Sequence, residues 1–230
     1  MSPAHRRPAR RGLLVLGGGF VLAPVSAAAF LVATDRTAPR PSAARPQSQD
    51  APRPRFASAA PPPRPSGWMD GVARKPITGN FTPEGRTAQR GLILHVQEGE
   101  GSLHERFSTP AYRSSAHFWV SQAGEIEQYV SIHDRAWTQR AGNAAWASIE
   151  TSGFARNPLT GPQVEAVARV YTWGVRVHGW PVEVTDSPDG AGLGTHSMGD
   201  AAWGGHACPG TLRSAQRTAV MDRVRRALSA

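Results

Sequence analysis

Cysteine is almost missing from this 230-residue chain, with Cys208 the single example. One thiol excludes an intrachain disulfide, and in an exported protein it is free, paired between chains, or held by a metal. Acidic residues are scarce in residues 1–65, where ten Arg face two Asp, and most of the formal net charge of +9 arises there. Residues 66–230 carry 16 basic against 15 acidic side chains. So neutral a domain lacks the clustered Lys and Arg that tracking a phosphate backbone requires, which argues against nucleic acid as a partner. Large apolar side chains are nearly absent from residues 36–66, which are rich in Pro, Ala, Ser and Arg. Such a segment buries too little surface to offset its ordering entropy and reads as an extended, disordered linker. No internal repeat is evident.

What is present begins with a basic N-terminus, Arg6, Arg7, Arg10 and Arg11, ahead of an uncharged run from Gly12 to Thr34. This is the pattern of an export signal over residues 1–35, with small residues around Val25 to Ala29 suited to cleavage. Arg10-Arg11 before Gly12-Leu13-Leu14 also fits a twin-arginine signal. The run is long enough to span a bilayer, although Gly17 to Gly19 and Pro24 make it a poor helix. Two readings stand, a cleaved signal peptide or a signal anchor over residues 12–34. Both put the protein in the cell envelope or outside the cell, with membrane contact only through the anchor.

Residues 67–230 read as one globular domain. Gly91 to Val96 is an apolar run that predicts a buried strand, with His95 near its end. Ser102 with Glu105 predicts a capping box opening a short helix. Ser115 to Ser121 and Glu125 to Val130 predict a hairpin around Gln122-Ala123-Gly124. Trp146 to Thr151 predicts a strand with Trp146, Ser148 and Glu150 on one face and Ala147 and Ile149 on the other. Thr160 with Gln163 predicts a second capping box, opening a helix that Gly179 and Pro181 stop. Pro181 to Thr185 predicts a further strand. A last helix from Leu212 to Leu228 is expected to turn Leu212, Ala215, Val220, Val224 and Leu228 inward. Strands mixed with helices at this length predict an α/β domain with a central mixed β-sheet flanked by helices.

The chemistry concentrates between His196 and Gly210, which hold His196, His206 and Cys208 among four glycines. Imidazole and thiolate suit zinc, and two close donors need a third from elsewhere in the chain, for which His95 is the candidate. The order of His95, Ala116-His117-Phe118, Ala141-Gly142-Asn143, Ser148-Ile149-Glu150, His196 and Cys208-Pro209-Gly210 resembles the zinc-dependent N-acetylmuramoyl-L-alanine amidases. That family includes phage lysozyme-type amidases and peptidoglycan recognition proteins, and the resemblance covers residues 88–228. It implies one catalytic Zn2+ on His95, His196 and Cys208, with Glu150 and His206 as catalytic residues. The implied reaction is hydrolysis of the amide between muramic acid and L-alanine in peptidoglycan or muropeptides. Asn143 matches a family position that would contact substrate, with loop stabilisation as its other reading. His117 is read as lining the cleft or as structural. Trp137, Trp146 and Trp203 offer faces for sugar rings or packing. The chain departs from the family's habit at Ala116, at Thr138 and in the twelve positions between His196 and Cys208, which require a bulging loop. The alternative function is a non-catalytic peptidoglycan-binding module of the same fold. A structural ion with a leader that binds acidic polymers is the third, and a monomer is expected.

Overall fold

The computed structural model describes residues 63–230. The export signal and most of the linker lie outside the described residues. Its last residues, 63–66, reach the domain, where Arg64 pairs with Glu84 and the Pro65 carbonyl lies 2.7 Å from His133 Nε2. Among the described residues no helix is long and apolar enough to cross a membrane.

Among the described residues eight strands form in chain order: β1 (Ala73–Arg74), β2 (Phe81–Thr82), β3 (Gly91–Val96), β4 (Phe118–Val120), β5 (Ile126–Gln128), β6 (Arg135–Ala136), β7 (Ala147–Thr151) and β8 (Gly192–Thr195). Six make one mixed sheet in the order β1-β5-β4-β7-β3-β8, while β2 and β6 pair separately. β4, β7, β3 and β8 run parallel, and the β4–β5 hairpin supplies the antiparallel pair. Two long helices, α2 (Gly161–His178) and α4 (Arg217–Ser229), accompany the short α1 (His104–Ser108) and α3 (Thr211–Ala215).

Strand alternation divides the sheet's two faces. Leu92 and Leu94 of β3 and Ala147 and Ile149 of β7 join Val167 and Tyr171 of α2 and Val220 and Val224 of α4 in one core. The opposite parity, Ile93 and His95 on β3 and Ser148 and Glu150 on β7, faces away from those helices, where Ile93 packs with Trp146 and Trp203. α2 starts on the predicted capping box, Thr160 and Gln163 bonding reciprocally, and ends on Gly179 in the left-handed conformation.

Three expectations need correction. Ser102 does not cap α1, because its hydroxyl donates to Glu127 and accepts from the His104 N–H; no side chain caps that helix. Pro181 to Thr185 holds only an isolated bridge, Val184 to Leu193, and the true strand is β8. The last helix breaks at Gln216, leaving Leu212 and Leu228 exposed while Arg213 and Arg217 are buried. The buried guanidiniums are satisfied mostly by carbonyls: Arg213 donates to Asn157 and Ser152 and to the Thr151 hydroxyl, and Arg217 to Ser214 and Thr185 and to the Asp186 carboxylate.

Candidate metal centre and catalytic cleft

The parallel register assembles the site. His95 pairs with Glu150 across β3 and β7, and Leu94 pairs with Thr195 across β3 and β8, so His95 comes one residue later on β3 and His196 immediately after the end of β8. The C-terminal ends of parallel strands are where open α/β sheets gather their ligands. Cys208 arrives by the long loop. A 3-10 helix, His196–Trp203, kinks at Asp200, and Gly204 and Gly205, both with positive φ, reverse the chain. The Ser197 N–H then donates to the Cys208 carbonyl at 3.0 Å, and the Val96 N–H reaches the thiol sulfur at 3.3 Å.

One ligand atom from each of His95, His196 and Cys208 lies within 4.8 Å of the others. The sulfur is 3.8 Å from His95 Nδ1. Both imidazoles are oriented through the opposite nitrogen. His95 Nε2 lies 3.2 Å from Gln139 Oε1, and His196 Nε2 lies 2.8 Å from the Trp203 carbonyl. A carbonyl oxygen can only accept, so each Nε2 carries the proton and each Nδ1 keeps a free lone pair. Burial, together with the neighbouring His196, holds His95 well below the ordinary histidine range, and burial also lowers His196. Neutral imidazoles are the form that ligates. Burial first, then the nearby Glu150, pushes the thiol up to about 12. A buried sulfur beside a carboxylate and two unprotonated nitrogens is a donor set that a divalent cation would satisfy.

Glu150 is the acid of the site. Its Oε1 is 4.0 Å from His95 Nδ1, and its buried Oε2 has no hydrogen-bond partner. Burial pushes this carboxyl up to about 7, against the opposing charges of Arg106 and Arg213. His95, Glu150, His196, His206 and Cys208 line one cleft of about 490 Å³. A smaller recess of about 150 Å³, holding Arg106, Phe107 and Trp137, shares Thr138 and Glu150 with it.

A family model described as N-acetylmuramoyl-L-alanine amidase matches residues 85–211, more than half of the chain. The chain belongs to that family. No curated protein matches it. Among solved structures, a mutant of PlyL is 15% identical with a TM-score of 0.50, covering 67% of this chain and 98% of that one. The Staphylococcus aureus hydrolase AmiA in complex with its ligand is 12% identical with a TM-score of 0.50, covering 66% and 80%. A selenomethionine AmpD derivative is 18% identical with a TM-score of 0.49, covering 67% and 96%. At these identities the likeness to the PlyL mutant and AmiA is one of fold.

In this member of the N-acetylmuramoyl-L-alanine amidase family, the remaining sequence candidates divide. His206 is exposed at the cleft, its ring 4.8 Å from that of His196. His117 lies outside the cleft lining and is 1% exposed. Its Nδ1 accepts from the Ser148 N–H at 3.1 Å and its Nε2 donates to the Asp134 carbonyl at 3.1 Å, so both ring nitrogens serve the fold. Asn143 is held at one atom: its Oδ1 accepts from the N–H groups of Thr138 and Gln139 at 3.0 and 2.6 Å. For His117 the geometry follows the structural reading; Asn143 stabilises its loop through Oδ1, and its Nδ2 makes no hydrogen bond among the described residues. Trp146 and Trp203 pack edge to face in the interior, whereas Trp137 lines the recess. Sequence reasoning missed Gln139, because a glutamine in a loop carries no periodic or motif signal.

Proposed function

We propose that this chain is a zinc hydrolase that cleaves the amide between N-acetylmuramic acid and the L-alanine of the stem peptide. His95, His196 and Cys208 would hold one Zn2+. The convergence of these three donors beside a buried carboxylate in one cleft carries the reading. Two imidazoles and a thiolate suit zinc and leave a fourth position open. When bound, the ion supplies Lewis acidity and acidifies water.

The chain's own groups do the rest. Glu150, raised to about 7, takes a proton from the attacking water and passes it to the leaving nitrogen. His206, at the cleft, donates to the oxyanion that develops on the carbonyl. The recess beside the cleft gives the substrate a mixed surface, with Trp137 and Phe107 beside Arg106, Thr138 and Glu150. The export signal belongs to the same proposal, since peptidoglycan lies outside the cytoplasmic membrane.

Elemental analysis of the purified protein is expected to give one zinc per chain, lost in Cys208→Ala. The wild type should release stem peptides from purified cell wall and the variant should not. If both bind wall equally and neither releases peptide, the chain is a binding module and the hydrolytic reading fails.

A further inference from the structure

Gln139 stands immediately before the 3-10 helix Arg140–Ala144, between two anchors. Its backbone N–H is held by Asn143 Oδ1 at 2.6 Å, and its side chain is buried, 1% exposed. The side-chain amide is used at both ends. Nε2 donates to the Trp146 carbonyl at 3.4 Å, which turns Oε1 toward His95 Nε2 at 3.2 Å. The amide's orientation therefore dictates which nitrogen of His95 carries the proton. An acceptor at Nε2 fixes the Nε2–H tautomer and leaves the Nδ1 lone pair facing the Cys208 sulfur 3.8 Å away.

We propose that Gln139 is a positioning residue that sets the tautomer and ring angle of His95, with Asn143 holding the loop that presents it. The consequence for metal affinity rests on the zinc reading above; the consequence for the tautomer does not. Outer partners of a ligating histidine typically govern about 10- to 100-fold in metal affinity.

Two substitutions separate the acceptor from the donor. Gln139→Glu keeps an oxygen toward His95 but cannot donate to Trp146, whereas Gln139→Leu removes both bonds. Zinc affinity, read by chelator competition on the metal-free protein, should fall about 10- to 100-fold in Gln139→Leu and stay near wild type in Gln139→Glu. A purely architectural glutamine would weaken both variants alike, and that result overturns the proposal. Nitrogen-15 NMR of the metal-free wild type supplies a second readout: His95 should show the Nε2–H tautomer, and an Nδ1–H pattern would refute the assignment. If the wild type binds no zinc, the functional reading fails while the NMR result still decides the role of Gln139.

Discussion

Acidification from pH 7 to pH 4 should cost the fold about 3 kcal/mol through His117 alone. The ring accepts a hydrogen bond from the Ser148 N–H at Nδ1 and donates one to the Asp134 carbonyl from Nε2, so only the neutral form fits. Protonation would set two N–H donors against each other inside a sealed site. Burial, then the charge of Arg86, brings the folded-state value from 6.5 down to about 3, opposed by the Asp134 carbonyl. The unfolded chain therefore takes up a proton that the folded chain refuses. Stability is intact above about 6.5, falls as the pH drops below it, and levels off near 3. Urea unfolding followed by tryptophan fluorescence, at pH 7 and pH 4, measures the loss. His117→Gln supplies the reference: the variant is weaker at pH 7 but lacks this titration. Subtracting its pH dependence from that of the wild type removes the other buried groups, including His178, which burial lowers to about 4. A wild type that loses no more stability than His117→Gln over this interval would refute the argument.

Glu150→Gln should retain bound zinc and lower kcat by about 10²- to 10⁴-fold, measured as stem-peptide release alongside elemental analysis. Gly199→Ala places a Cβ that overlaps the Trp203 ring, and the Trp203 carbonyl orients His196. Metal affinity and Tm should therefore fall together; a variant that lost only stability would uncouple the tryptophan from the imidazole. Arg213→Met leaves the carbonyls of Ser152 and Asn157 and the Thr151 hydroxyl without their buried donor, so denaturation should show a loss of about 1–3 kcal/mol.

Local chemistry made some elements legible. β3 announces itself as a short apolar run, and α2 as a reciprocal cap followed by apolar residues at helical spacing. The three donors could be chosen because a lone thiol, two histidines and a run of glycines are uncommon together. β8 was hidden because half of it is glycine. Gly91 and Gly192 approach so closely that a Cβ on Gly91 would overlap the neighbouring backbone, so packing removed the side chains that mark a strand. The last helix misled for the opposite reason. Leu212 and Leu228 obey the helical period yet are exposed, while Arg213 and Arg217 turn inward to carbonyls that no sequence pattern shows. Asn143 and His117 suggested substrate contacts by position, and only coordinates reveal that both ring nitrogens of His117 and the Oδ1 of Asn143 serve the fold.

The six buried residues from Gly91 to Val96 answer to two masters at once, since Ile93 and His95 lie on the face that carries the cleft while Leu92 and Leu94 lie in the core under the helices. Shifting this ribbon by a single step would sink an imidazole under the long helix and lift a leucine into the cleft. An insertion or deletion here would therefore disturb the cleft and the core in the same event.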